Sequence, residues 1–246
     1  MTKESISIRT ADGDCPAYVY TPPGQGPWPA VIVYMSIFGM RPAIREMCEH
    51  IAGGGYVVLL PDIFYRRGAY EPLEPGPIFA SGDMSVLKPM RECTDNLRAA
   101  ADTGFFLKYL DTRDDVAGDR VGTVGFCFGG GMAIAAASTY PDRVAAVASF
   151  HGGNLATDQP TSPHLLVTEM KAELYMAVAD QDRGYPPDMA ERFEKALDDA
   201  CVRYRSELYA GCSHGWMKPD VPVYDQQEAE RGWGEMFALF DRVLKA

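Results

Sequence analysis

Basic residues are in short supply. The chain has 23 Lys and Arg against 34 Asp and Glu, a formal net charge of −11. So acidic a chain is a poor match for nucleic acid or an anionic membrane, and neither is expected as a partner. Long apolar runs are missing too. No stretch approaches a membrane span, and Met1-Thr2-Lys3-Glu4-Ser5-Ile6-Ser7-Ile8 carries no apolar segment of signal-peptide length. The six cysteines, at 15, 48, 93, 127, 201 and 212, form no CxxC pair and no tight cluster. That pattern favours reduced thiols in a cytoplasmic protein over disulfides or a zinc site. No metal or cofactor is expected. Histidine is scarce, with four in the chain, so imidazole chemistry has few places to reside. Repeats, low-complexity tracts and linkers are also lacking, and residues 1–246 read as a single domain.

What is present is an alternation of strand and helix patterns. Residues 5–9 and 17–20 read as two short strands around the turn signal Asp12-Gly13-Asp14. Apolar runs at 30–35 and 56–60 have the character of strands covered on both faces. Further strands are expected at 121–125, 144–150, 173–179 and 204–209. Helices are expected at 42–52, 90–110, 127–140, 188–200 and 223–245. The apolar side of the 90–110 helix runs through Cys93, Leu97, Ala100, Gly104 and Leu107. Residues 64–88, rich in Gly, Pro and aromatics, read as a long irregular excursion. The sum is an α/β fold with a mostly parallel central sheet, helices on both faces and the first two strands antiparallel at one edge.

The most informative segment is Gly125-Phe126-Cys127-Phe128-Gly129-Gly130. It follows a buried strand and opens a helix, as a nucleophile elbow does, with cysteine in the place of serine. Small residues permit the tight turn, and the amides of the following helix favour a thiolate or an oxyanion at the same place. An α/β-hydrolase fold then requires an acid and a histidine, in that chain order, each after a later strand. Asp180 and Asp182 compete for the acid; Asp182 lies deeper in its loop and reaches toward an imidazole, whereas Asp180 is placed to cap the turn. Among the histidines, only His214, in Ser213-His214-Gly215, has the right order and position for the base. His151, at the end of a strand, is placed to line the pocket.

These motifs, with Ile37-Phe38-Gly39, Leu60-Pro61-Asp62-Ile63-Phe64-Tyr65 and Gln181-Asp182, resemble the dienelactone hydrolase (carboxymethylenebutenolidase) family over nearly the whole chain. The resemblance implies Cys127, Asp182 and His214 as a catalytic triad and the amides of Ile37 and Phe128 as an oxyanion hole. Ser36 and Lys218, at positions the resemblance ties to substrate binding, join Phe38, His151 and Trp216 as substrate-binding candidates. Two departures stand out. Ser36 occupies a position where the family often has an acidic residue that couples substrate binding to thiol ionisation. Lys218 lies four residues past His214, where the best-known members place a carboxylate-binding arginine; a solvated surface lysine is its plain alternative. For a second such arginine, Arg91 is the candidate.

The chemistry narrows the substrate. A thiolate is itself a good leaving group, so forward collapse of the tetrahedral intermediate needs a leaving oxygen of comparable quality. Enol lactones and activated esters qualify, and ordinary amides do not. Tyr65, Tyr70, Phe79, Phe126, Phe128 and Trp216 are candidates for an apolar wall around a small ring. The rival readings are a redox-responsive thiol protein, with Cys201 or Cys212 as the resolving thiol, and a ligand-binding module on the same fold. Ordered Asp and His partners argue for the enzyme, acting on a small-molecule lactone or ester.

Overall fold

The computed structural model describes residues 1–245. Eight strands form one sheet: β1 (Thr2–Arg9), β2 (Asp14–Thr21), β3 (Trp28–Tyr34), β4 (Val57–Pro61), β5 (Val116–Phe126), β6 (Val144–Phe150), β7 (Glu173–Gln181) and β8 (Tyr204–Ser213). Their order is β1-β2-β4-β3-β5-β6-β7-β8. β2 runs antiparallel to both of its neighbours, and every pair from β4 through β8 is parallel. The antiparallel edge is where the sequence lacks a helix between its first two strands. The apolar runs fall as expected: β3 is buried from its second residue on, and β4 and β6 are buried throughout.

Strand alternation assigns the helices to faces. Gly122 of β5 faces Phe240 and Leu244 of a C-terminal helix (Gln226–Leu244), and Phe126 meets Trp233 of the same helix. The odd-numbered positions face the other way: Thr123 donates to the Ala133 carbonyl of the helix that follows β5 (Phe128–Thr139). A first helix (Pro42–Gly53) joins the C-terminal one on its face, with His50 4.9 Å from Trp233. The helix after β5 is built of Gly and Ala, which lets it lie close upon the strands, and all its residues from Gly129 to Ser138 are buried.

Three expectations need correction. The helix at 90–110 is two: Lys88–Cys93 and Asn96–Leu110. Thr94 is extended between them, and the Asp95 side chain caps the second by accepting from the Arg98 amide at 2.9 Å. An Asp that can cap a helix start outcompetes continuation through it. Ala100 and Leu107 are buried as expected, joined by Ala99, Phe106 and Leu110, whereas Leu97 points to solvent. The excursion at 64–88 is not wholly irregular, since Pro75–Ser81 forms a short helix with proline in its first turn. The last helix begins at Gln226 rather than 223, capped by Asp225.

Candidate active site

Cys127 stands at the point where β5 turns into the following helix. Its backbone is strained, with φ 59 and ψ −115. The glycines around it are there for space. A Cβ on Gly125 would drive into the Gly129 carbonyl, and one on Gly129 into the carbonyl of Tyr34 at the end of β3. That second approach brings the start of the helix beside the segment carrying Ser36, Ile37 and Phe38. The Phe128 amide favours the ionised form of the Cys127 sulfur.

The structure brings Cys127, His214 and Asp182 together. His214 Nε2 lies 2.9 Å from Cys127 Sγ, and His214 Nδ1 lies 2.7 Å from Asp182 Oδ2. The other Asp182 oxygen accepts the Gly184 amide at 2.8 Å, which fixes the carboxylate. Asp180 is elsewhere, accepting at 2.8 Å the amide of Gly211 on the neighbouring strand β8 rather than capping its own turn. Burial works to push the Cys127 thiol up. The positive charges of His214 and Lys218, with the hydrogen bond from His214 and the influence of the Phe128 amide, reverse this and hold it down at about 6. Burial likewise works against a charged His214, yet the neighbouring thiolate and the bond to Asp182 raise it to about 10. The favoured resting pair is therefore thiolate and imidazolium.

Lys218 is not a surface residue; it is 1% exposed. Gly215 (φ 109) turns the chain so that the Lys218 ammonium folds back over it. That ammonium lies 5.3 Å from the centre of the Phe38 ring. Burial and the charge of Arg41 push Lys218 down, while Cys127 and Asp220 hold it up. Ser36 is fully buried, and its hydroxyl accepts from Arg41 Nη1 at 2.9 Å.

Arg41 is the residue that sequence reasoning missed. It is 4% exposed, pairs through two nitrogens with Asp220 and sits 5.4 Å from Phe38. Arg91, the arginine singled out instead, is exposed on Lys88–Cys93. Nothing local marks Arg41, because its partner lies 179 positions away.

The expected aromatic wall is only partly there. Phe126 is buried in a stack with Phe150, 5.3 Å away, and does not face the site. Trp216 is fully buried against Tyr209 and His151. Tyr65 is tied to Thr10 and Asp102. Phe128 and Phe79 remain partly open, Phe79 beside Phe38 and Phe128 stacked on Phe64, while Tyr70 packs under Gly39. His151 lies against His214 but is 1% exposed. All six cysteines are free thiols, Cys212 buried and Cys201 exposed. Among the described residues no group of three or more His, Cys, Asp or Glu is arranged to hold a metal ion, and no helix is long and apolar enough to cross a membrane.

A mostly parallel eight-stranded sheet, a strained elbow after β5 and helices on both faces define an α/β-hydrolase. The solved structure of a Klebsiella pneumoniae protein provisionally named a dienelactone hydrolase superposes with a TM-score of 0.86 over 98% of both chains, at 24% identity. The model of the dienelactone hydrolase family matches residues 15–244. A Synechocystis sp. protein provisionally named a carboxymethylenebutenolidase is 30% identical over 98% of this chain and 96% of its own. One from Escherichia coli with the same provisional name is 27% identical over 95% of this chain and 84% of its own. The chain belongs to the dienelactone hydrolase family, and that membership makes it an ester or lactone hydrolase.

Proposed function

We propose that the protein hydrolyses small lactones or activated esters by nucleophilic catalysis at Cys127. The observation that carries this reading is the unbroken line from Cys127 Sγ to His214 Nε2 (2.9 Å) and from His214 Nδ1 to Asp182 Oδ2 (2.7 Å), at the tip of a strained elbow. The thiolate attacks the acyl carbon, and the carbonyl oxygen becomes an oxyanion received by the amides of Phe128 and Ile37. The C–O bond breaks, and His214 gives its proton to the leaving oxygen. A thioester remains. Neutral His214 then takes a proton from water, whose oxygen attacks the thioester; the acid leaves and the thiolate returns. Asp182 holds the imidazole in one orientation and stabilises its charged form. A leaving oxygen of enol or phenol quality suits this cycle, because an alkoxide loses the competition with thiolate for expulsion.

Lys218 supports an anionic substrate. Its ammonium is buried beside Phe38, among the described residues it has no hydrogen-bond or ion-pair partner, and the charge of Arg41 is spent on Asp220. The test is turnover of p-nitrophenyl acetate and of a panel of neutral and carboxylated lactones. Cys127→Ala should lower kcat by roughly 10⁴-fold or more, and iodoacetamide should inactivate the wild type with one adduct at Cys127. Wild-type rates in Cys127→Ala would refute the reading.

A further inference from the structure

His151 follows β6, next to the elbow: the Cys127 amide donates to the Phe150 carbonyl at 3.0 Å. Its ring packs edge to face against His214, at 5.1 Å between centres and 62°, and against Trp216, at 5.1 Å and 71°. Neither ring nitrogen has a hydrogen-bond partner, and the buried Trp216 Nε1 has none either. Orphaned polar atoms cost stability, and a phenylalanine would fill the same space without them. The backbone adds a second cost. His151 has φ 41, the left-handed region, held there by the bond from its amide to the Ala177 carbonyl (2.8 Å) and by the close packing of Gly152 on Gly130.

His214, Lys218 and Arg41 act on this ring as cations, while the Asp182 carboxylate and the Cys127 sulfur lie on the two nitrogens of the adjoining His214. Burial foremost, and those three charges after it, hold His151 well below the ordinary imidazole range. It therefore stays uncharged. An uncharged imidazole differs from a phenyl ring of similar shape in having a dipole, with a lone pair on one nitrogen and a proton on the other. For a ring only 1% exposed beside a cationic neighbour, that dipole has a preferred direction, and its effect is larger than it would be in water.

We propose that His151 is a positioning residue for His214: an uncharged polar ring that braces the base edge-on and stabilises its imidazolium, and so the Cys127 thiolate. The inference rests on His214 being the base of Cys127.

The experiment follows the ultraviolet absorbance of the thiolate against pH in the full chain, with p-nitrophenyl acetate kinetics and thermal melting alongside. His151→Phe should melt about 3 °C higher, as removal of buried unpaired atoms without loss of volume implies. Its thiolate midpoint should rise by about one pH unit, so that activity on the acid limb falls about tenfold while the plateau changes little. His151→Asn, which keeps an uncharged dipole, should stay closer to the wild type. If His151→Phe does not fold, His151→Leu against His151→Asn, two side chains of similar size, gives the same contrast. An unmoved midpoint in His151→Phe, or equal shifts in the polar and apolar variants, overturns the proposal. Cys127→Ala separates this from failure of the base itself: if the wild-type titration survives in Cys127→Ala, the signal does not come from that thiol and the Cys127–His214 reading fails first.

Discussion

Two regions meet at Cys127, and they are held together in different ways. The elbow is a backbone device. Gly125 and Gly129 let a strand, a turn and a helix approach more closely than any side chain allows, and the start of the helix, with the Phe128 amide, comes to act on the sulfur as a consequence. The cationic side is a side-chain device. Ser36, Phe38 and Arg41 come from one loop and Lys218 and Asp220 from another, and nothing but packing and ion pairing joins them. The elbow has almost no freedom to vary. The cationic side is set by which charges pair, and it carries Ser36 and Lys218, the two positions where the resemblance read from the sequence implies other residues.

The largest expected effect tests the rigid half. Gly129→Ala places a methyl group against the Tyr34 carbonyl, which is backbone and cannot move aside without displacing β3. We expect a loss of roughly 4 kcal/mol or more, enough to prevent accumulation of folded protein in a domain of ordinary stability. Thermal melting of purified protein, or its yield in the soluble fraction, reads this out. A Gly129→Ala variant that melts within a few degrees of wild type would show that the elbow is not close-packed.

Next comes the pH dependence, which joins the two regions. In the proposed cycle, activity needs thiolate and imidazolium together. The Cys127 thiol is held at about 6 and His214 at about 10. Below the first the nucleophile is protonated; above the second the leaving oxygen loses its proton donor. The profile of kcat/KM should therefore rise tenfold per pH unit below about 6, stay flat, and fall above about 10. A profile that rises only above pH about 8, where a free thiol ionises, would mean that the charges around Cys127 do not act on it.

The difference between the two regions also decides what could be read in the sequence. Gly125-Phe126-Cys127-Phe128-Gly129 is legible because every constraint on it is local: a strand before, a helix after, and glycine wherever the backbone crowds. The strands β3, β4 and β6 are legible for a similar reason, since burial on both faces writes an unbroken apolar run. His214 follows from chain order; for the acid, chain order leaves Asp180 beside Asp182, and reach toward the imidazole chooses between them. Arg41 was not legible, and Lys218 could be read as a surface residue, because a buried cation leaves no local mark. Arg41 is explained by Asp220, and the burial of Lys218 by the turn at Gly215 and the ring of Phe38. The break at Thr94–Asp95 is a different failure. The apolar spacing continues through it, and the cap formed by Asp95 outweighs the spacing.

Lys218→Met sharpens the comparison, because it removes a charge with little loss of volume. Two effects should separate. The thiolate midpoint should move up, since the Lys218 charge helps hold it down. Well above that midpoint, hydrolysis of neutral p-nitrophenyl esters should match wild type, while kcat/KM for carboxylated lactones should stay about tenfold lower, the loss of about 1.4 kcal/mol of transition-state interaction. Equal losses on both substrates across the whole pH range would mean that Lys218 supports the fold and has no part in choosing an anionic substrate.

The smallest expected effect belongs to Ser36→Glu, which puts a carboxylate where the resembled family often carries one. In isolation, a negative charge in the segment beside the elbow should raise the thiol and slow its alkylation. The structure provides a counterweight. Ser36 already accepts a hydrogen bond from Arg41, whose remaining nitrogens hold Asp220, so a glutamate here would share that guanidinium rather than face the thiolate unpaired. We expect iodoacetamide alkylation near neutral pH to slow by only about threefold, well under the change that a one-unit shift in pKa would give on the acid limb. Removing the counterweight should restore the full effect: Ser36→Glu combined with Arg41→Met should slow alkylation by roughly tenfold or more, beyond the product of the two single changes, because residues that share a partner do not add. If the single and double variants alkylate at the same rate, Arg41 does not buffer the charge at position 36.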